Sequence, residues 1–203
     1  WNRDLSSNNA YEASIEPNRK RFMSYLGVPD KNQPLSNYKK ALEDKYPPVI
    51  MEKYSVNDDP LIVAETSKYR ILQVRWPVLN YINGEGLLLQ PKTEIIGNIV
   101  ALPDADQTPE QLAGLAPGIP EGSQFARILA ENGYRVLVPV LINRNLIFPG
   151  TAQQQTYRER IYRQAFHMGR HIIGFEVQKV ISAIDWFKQS DNHDLKTGVA
   201  GYG

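Results

Sequence analysis

The stretch Lys196-Thr-Gly-Val-Ala-Gly-Tyr-Gly203 is a short apolar strand that runs into glycines. In an α/β protein, a strand that turns sharply through small residues leads into a helix. Such a turn carries either a catalytic nucleophile or a phosphate-binding loop. Small neighbours are needed there because strand and helix approach closely, and glycine reaches the positive φ of a tight turn at little cost. The segments upstream decide which kind of turn this is.

Arg158 to about Gln189 precedes that strand and carries Ile161, Ile172, Ile173, Val177, Val180, Ile181, Ile184 and Phe187 at helical spacing. Gly169 and Gly174 weaken its middle, so a kink or a close helix contact is expected there. Before it, Tyr134-Arg-Val-Leu-Val-Pro-Val-Leu-Ile142 and Glu94-Ile-Ile-Gly-Asn-Ile-Val-Ala-Leu102 are nearly continuous apolar runs, as strands covered on both faces require. Between them, Thr108-Pro-Glu-Gln is a helix start with Thr108 as cap, and Glu121–Asn132 is an amphipathic helix with Phe125, Ile128 and Leu129 inward and Gly133 as its stop. Strand, helix, strand, long helix, strand is a parallel βαβαβ arrangement with right-handed crossovers. Further upstream, Lys68–Gln90 is expected to form an antiparallel hairpin at the sheet edge, turning at Asn83-Gly84. The fold class is therefore α/β: three layers, with a mainly parallel sheet preceded by an antiparallel hairpin.

Residues 1–66 are polar and broken by prolines, and are expected to form a helical and irregular extension packed on a domain spanning 67–203. One helix is predicted near Asn18–Leu26, stopped by Gly27, and a second over Ser36–Lys45. The 203 residues carry a net charge of +1, which argues against an extended nucleic-acid footprint. No apolar run reaches the length of a membrane span. With no cysteine, disulfides, thiol catalysis and thiolate metal sites are excluded. The first residue is Trp1 rather than Met, so a processed or partial chain is expected, and a secreted or periplasmic location is favoured.

The order and spacing of these pieces resemble the first half of an α/β-hydrolase, in the dienelactone-hydrolase and acetyl-xylan-esterase-like branch. Ile99-Val-Ala-Leu-Pro-Asp-Ala-Asp-Gln107 is similar to the strand and loop that supply half of the oxyanion hole. Phe125–Pro139 is similar to that family's helix, Gly-Tyr and strand segment. Asp185-Trp-Phe187 followed by Thr197–Gly203 is similar to the helix and strand that enter the nucleophile elbow. The resemblance covers about 68–203. It implies acyl transfer by a Ser-His-Asp triad on a small-molecule or carbohydrate ester, with no cofactor and no metal.

The elbow departs from the Gly-x-Ser-x-Gly pattern. Aligning Gly198-Val-Ala-Gly201 with the motif places Tyr202 at its first variable position and Gly203 where serine belongs. In the other register Gly203 is the motif's first glycine. The family's acid and histidine follow the elbow, so the resemblance implies that further polypeptide, from this chain or another, completes the sheet and the triad. Two alternatives of a different kind stand beside the enzyme: a non-catalytic binding or structural scaffold, and a dinucleotide-binding protein with Gly201-x-Gly203 opening its loop.

The candidate oxyanion and pocket residues are Asp104, Ala105, Asp106 and Gln107, with Asn143 and Arg144 after the second buried strand. The competing role of the two aspartates is to close the turn and cap the next helix. His167 and His171 stand four apart, which on one helix is zinc-ligand spacing, but Met168 replaces the glutamate of the zinc motif. His193 sits in a turn. Arg158, Arg160, Arg163 and Arg170 form either a solvated face with local pairs or a greeting surface for an anionic substrate.

Overall fold

The computed structural model describes residues 3–28, 51–53, 62–79, 81–190 and 195–202. The helix expected over Ser36–Lys45, the turn around His193 and the elbow position Gly203 lie outside the described residues.

Helix α1 spans Asn8–Leu26, starting ten residues earlier than its apolar pattern suggests. Ser7 caps it, accepting from Ala10 N, and Gly27 ends it in the left-handed region at φ 68°. The apolar signal failed because the helix buries little: Leu26 is buried, whereas Phe22 and Tyr25 are exposed. Its caps, not its face, set its ends.

Strands β1 (Glu52–Lys53) and β2 (Ile62–Glu65) both pair with β3 (Tyr69–Leu79), so the sheet reaches back into the polar amino-terminal stretch. β3 and β4 (Ile82–Pro91) form the expected hairpin, but its turn lies between Leu79 and Ile82, where Tyr81 has φ 64°. Asn83-Gly84 is inside β4 instead. Glycine stands there because the Trp76 indole lies across it. A Cβ at position 84 would come within 2.5 Å of Trp76 Cε2. A glycine demanded by packing thus imitated a glycine demanded by a turn.

β5 (Gly97–Leu102), α2 (Pro109–Leu112), α3 (Phe125–Glu131) and β6 (Tyr134–Pro139) make the first crossover unit. A 3₁₀ turn at Glu121–Ser123 precedes α3, so the helix starts later than expected. Its buried residues are Ala126 and Ala130, with Phe125 and Leu129 packed beside them. Helices α4 (Tyr157–His167) and α5 (Ile172–Ser190) lead to β7 (Thr197–Gly201). The long helical pattern is therefore two helices, broken where Gly169 takes φ 73°. Gly174 serves a different purpose: a Cβ there would overlap the carbonyl oxygen of Leu26, so its absence lets the end of α1 rest on α5.

The sheet order is β1-β3-β4-β6-β5-β7, with β2 also on β3. β6, β5 and β7 are mutually parallel, and β4 joins them antiparallel through β6. Alternate residues of the strands feed two cores. Ile71, Leu87, Leu89, Val136 and Val138 pack against Leu112, Ala126 and Ala130 of α2 and α3. Leu72, Val74, Trp76, Leu88 and Leu137 pack against Ala183 and Phe187 of α5. Helices thus cover both faces, as buried parallel strands require.

At the amino ends of the parallel strands Arg135 donates from Nε to Asn98 Oδ1 at 3.0 Å, and its guanidinium lies 5.1 Å from the ring centres of both Trp186 and Phe187. That end of the sheet is tied shut. Chemistry is left to the opposite end, where β5, β6 and β7 release their loops.

Candidate active site

β5 and β7 lie side by side and finish together, with Leu102 opposite Gly201. The loop leaving β5 goes to the α2 face, and the loop leaving β6 goes to the α5 face. Adjacent loops that diverge in this way leave a crevice at the carboxyl ends of the strands, where open α/β sheets bind ligands.

One wall is the loop from Pro103 to Thr108. Asp104 closes it: its N–H donates to Gln107 Oε1 at 3.2 Å, its carbonyl accepts from Gln107 N at 3.0 Å, and its Oδ1 accepts from Asp106 N at 3.3 Å. The helix cap falls to Thr108, whose hydroxyl accepts from Gln111 N while Gln111 Oε1 accepts from Thr108 N at 2.9 Å. The turn-closing role therefore belongs to Asp104 and the capping role to neither aspartate. The Ala105 N–H has no hydrogen-bond acceptor among the described residues, and Ala105 is half-buried. Among the described residues it is the one backbone donor of the Pro103–Thr108 loop that the loop does not use itself.

The other wall follows β6. Asn143 Oδ1 accepts from Asn145 N at 3.0 Å, a local turn, so Asn143 shapes the loop. Arg144 reaches across to both aspartates, donating from Nη1 to Asp106 Oδ2 at 2.6 Å and to Asp104 Oδ1 at 3.4 Å. The two candidate loops, separated by some forty residues in sequence, thus meet. The hydrogen bond that Arg144 donates to Asp106, before any other influence, holds its guanidinium above the ordinary value. The pair is solvated, so it orients the two loops more than it stabilises the fold.

The root of this second loop is held by residues the sequence did not single out together. Arg158 and Glu176 form a two-pronged buried pair, Nη1 to Oε1 at 2.7 Å and Nη2 to Oε2 at 3.0 Å. Arg158 also donates to Ile142 O at 3.0 Å, and Ile142 N donates to Glu176 Oε1 at 3.4 Å. Lys179 Nζ donates to Val140 O at 3.0 Å, and burial pulls its ammonium below the ordinary lysine value. The signal was present: Glu176 is the one acid among Ile172, Ile173, Phe175, Val177 and Val180. An acid on an apolar face needs a buried cation, but sequence cannot say which arginine turns inward.

Beside Arg144 runs a groove of about 450 Å³ bordered by Thr156, Arg158, Tyr162, His171, Ile172 and Ile173. His167 and His171 do not share a helix face, because the break at Met168–His171 separates them. His171 instead starts α5, its Nδ1 accepting from Ile173 N at 3.1 Å. Among the described residues no three His, Asp or Glu side chains are placed to hold a metal. Gly201 and Tyr202 stand at the exposed end of β7, with Tyr202 82% exposed.

No family model matches this sequence, and no curated protein sequence matches it. Solved structures do. A protein assigned as an acetyl xylan esterase from Bacteroides fragilis NCTC 9343 superimposes with a TM-score of 0.67 at 16% identity, covering 100% of this chain and 50% of that one. The glucuronoyl esterase of Solibacter usitatus superimposes with a TM-score of 0.51 at 10% identity, covering 98% of this chain and 54% of that one. The chain has an α/β-hydrolase-like fold. It spans about half the length of these structures, and at such identities the likeness speaks for the fold.

Proposed function

We propose that this α/β-hydrolase-like chain contributes the oxyanion side of an ester-hydrolase site acting on a carbohydrate or other small-molecule ester. The observation that carries it is the Ala105 N–H, which meets no acceptor among the described residues, in the loop that leaves β5 where it pairs with β7. A preorganised donor there strengthens its hydrogen bond as a carbonyl oxygen gains charge, which lowers the barrier to acyl transfer. The structural neighbours, an acetyl xylan esterase and a glucuronoyl esterase by name, support the substrate class.

The nucleophile, acid and histidine are not supplied by the described residues. β7 is the last strand of the described sheet, and Val199 on it is 51% exposed. Further polypeptide pairing with β7 would both cover that edge and bring the missing groups. Together with that polypeptide, the chain is expected to hydrolyse 4-nitrophenyl acetate. Replacing Ala105 by proline, which removes the N–H, should lower kcat about 100-fold or more. An unchanged kcat would overturn the oxyanion assignment. Absence of any turnover would favour the non-catalytic scaffold.

A further inference from the structure

The groove beside Arg144 has charged residues on its rim, yet its chemistry is that of an apolar site. Its apolar lining comes from Ile172, Ile173 and the ring of Tyr162. Each charge on the rim is already committed. Arg158 is held by both oxygens of Glu176. Glu159 accepts from Arg163 at 2.6 Å. Arg144 faces two aspartates with one positive charge. The groove therefore holds no uncompensated cation to attract an anion, and a carboxylate or phosphate would meet Asp104 and Asp106 across Arg144.

Tyr162 and His171 both line the groove and meet edge to face with ring centres 5.2 Å apart. Ile173 N donates to His171 Nδ1, which leaves Nε2 as the ring nitrogen that carries a hydrogen. The lining thus combines an aromatic ring, aliphatic carbon and one ring N–H donor. That combination suits a flat, uncharged ring bearing a single oxygen. The strongly hydrated anion that the arginine-rich helix suggests in sequence does not fit it.

We propose that this groove binds an uncharged aromatic ring, and that it receives the ring-bearing side of an ester whose carbonyl lies at Ala105. The second half of this statement rests on the esterase assignment; the first does not. Arg144 borders both places, so the ring and the reacting carbonyl would belong to one extended substrate. The arginine-to-aspartate pair then forms the partition between them.

The test reads binding without turnover. Benzyl alcohol and, separately, sodium benzoate are titrated into the full chain while the Ile173 δ1-methyl and His171 ring signals are followed by NMR. Benzyl alcohol should produce saturable shifts at both residues, and benzoate should bind at least about tenfold more weakly, a difference of about 1.4 kcal/mol. Ile173→Glu places a charge in the apolar lining at a helix start that tolerates an acid, and should weaken benzyl alcohol about tenfold or more. Tyr162→Leu should weaken it several-fold while Tyr162→Phe retains it, which keeps the test decisive if Ile173→Glu fails to fold. Absence of saturable shifts, benzoate binding as tightly as the alcohol, or an unaltered affinity in Tyr162→Leu would each overturn the proposal. Ring binding by a protein that never turns over an ester would uphold the groove and sink the esterase assignment, whereas turnover with an empty groove would do the reverse.

Discussion

Glu176→Ala tests the element on which the candidate site stands. Glu176 and Arg158 keep 11% and 18% of their side-chain surface exposed, so both charges are largely out of water. Removing one partner of a buried pair leaves the other charge uncompensated, which costs about 3–5 kcal/mol when burial is complete. Two corrections apply. Arg158 retains some water and its bond to Ile142 O, which lowers the figure. Ile142 N loses its acceptor, but that bond is long at 3.4 Å, so little is added. The expected loss is about 3 kcal/mol, or roughly 6–12 °C in Tm for a chain of this length. The double variant Arg158→Met with Glu176→Leu separates the pair from the space it fills. An apolar replacement of similar volume often restores stability, so the double variant should be clearly more stable than Glu176→Ala. Thermal and urea unfolding of wild type, Arg158→Met, Glu176→Leu and the double would measure the coupling. A loss below about 1 kcal/mol in Glu176→Ala, or strict additivity in the cycle, would show that the pair does not hold the loop root.

Gly174→Ala should destabilise by about 1–3 kcal/mol despite the better helix propensity of alanine, because its Cβ would overlap the Leu26 carbonyl. Thermal unfolding would decide it, and a raised Tm would refute the close contact of α1 with α5. Gly84→Ala should displace the Trp76 indole, which is 1% exposed, and red-shift part of the tryptophan emission; an unchanged spectrum would refute the packing role of Gly84. Glu65 is held at about 2 by its hydrogen bond with Lys92 and then by that with Arg70. A carboxylate depressed in the folded state contributes above its ordinary value and loses that contribution as pH falls toward about 2. Glu65→Gln should therefore lower Tm slightly at neutral pH and converge with wild type near the acid end. Parallel pH profiles would refute the assignment. The solvent exposure of Glu65 and its partners makes the difference small.

The order of elements was legible in the sequence because it is written in local quantities. β5 and β6 are apolar runs of strand length, because helices cover both faces of the sheet there, and β7 is a short run of small residues that pairs with β5. Thr108 with Gln111 and Gly27 after Leu26 mark helix ends through hydrogen bonds three or four residues long. The placement of the Asp104–Gln107 and Asn143–Arg144 loops at one end followed from the same order, since parallel strands release their loops together.

What the sequence alone left open are the features decided by partners distant in the chain. The glycine of Asn83-Gly84 is required by Trp76 across the hairpin, and Gly174 by the end of α1, so a local rule assigned the first to a turn. Arg158 reads as one of several surface arginines until Glu176, eighteen residues on, turns it inward. Ala105 carries no side-chain signal at all; its interest lies in a backbone N–H that meets no acceptor among the described residues, in the loop that leaves β5. Composition, periodicity and capping thus determined the α/β layers and the end of the sheet at which the loops gather. Only the tertiary structure decided which charges are buried, which glycines are contacts and which donor stands free, because these depend on what the folded chain brings against each residue.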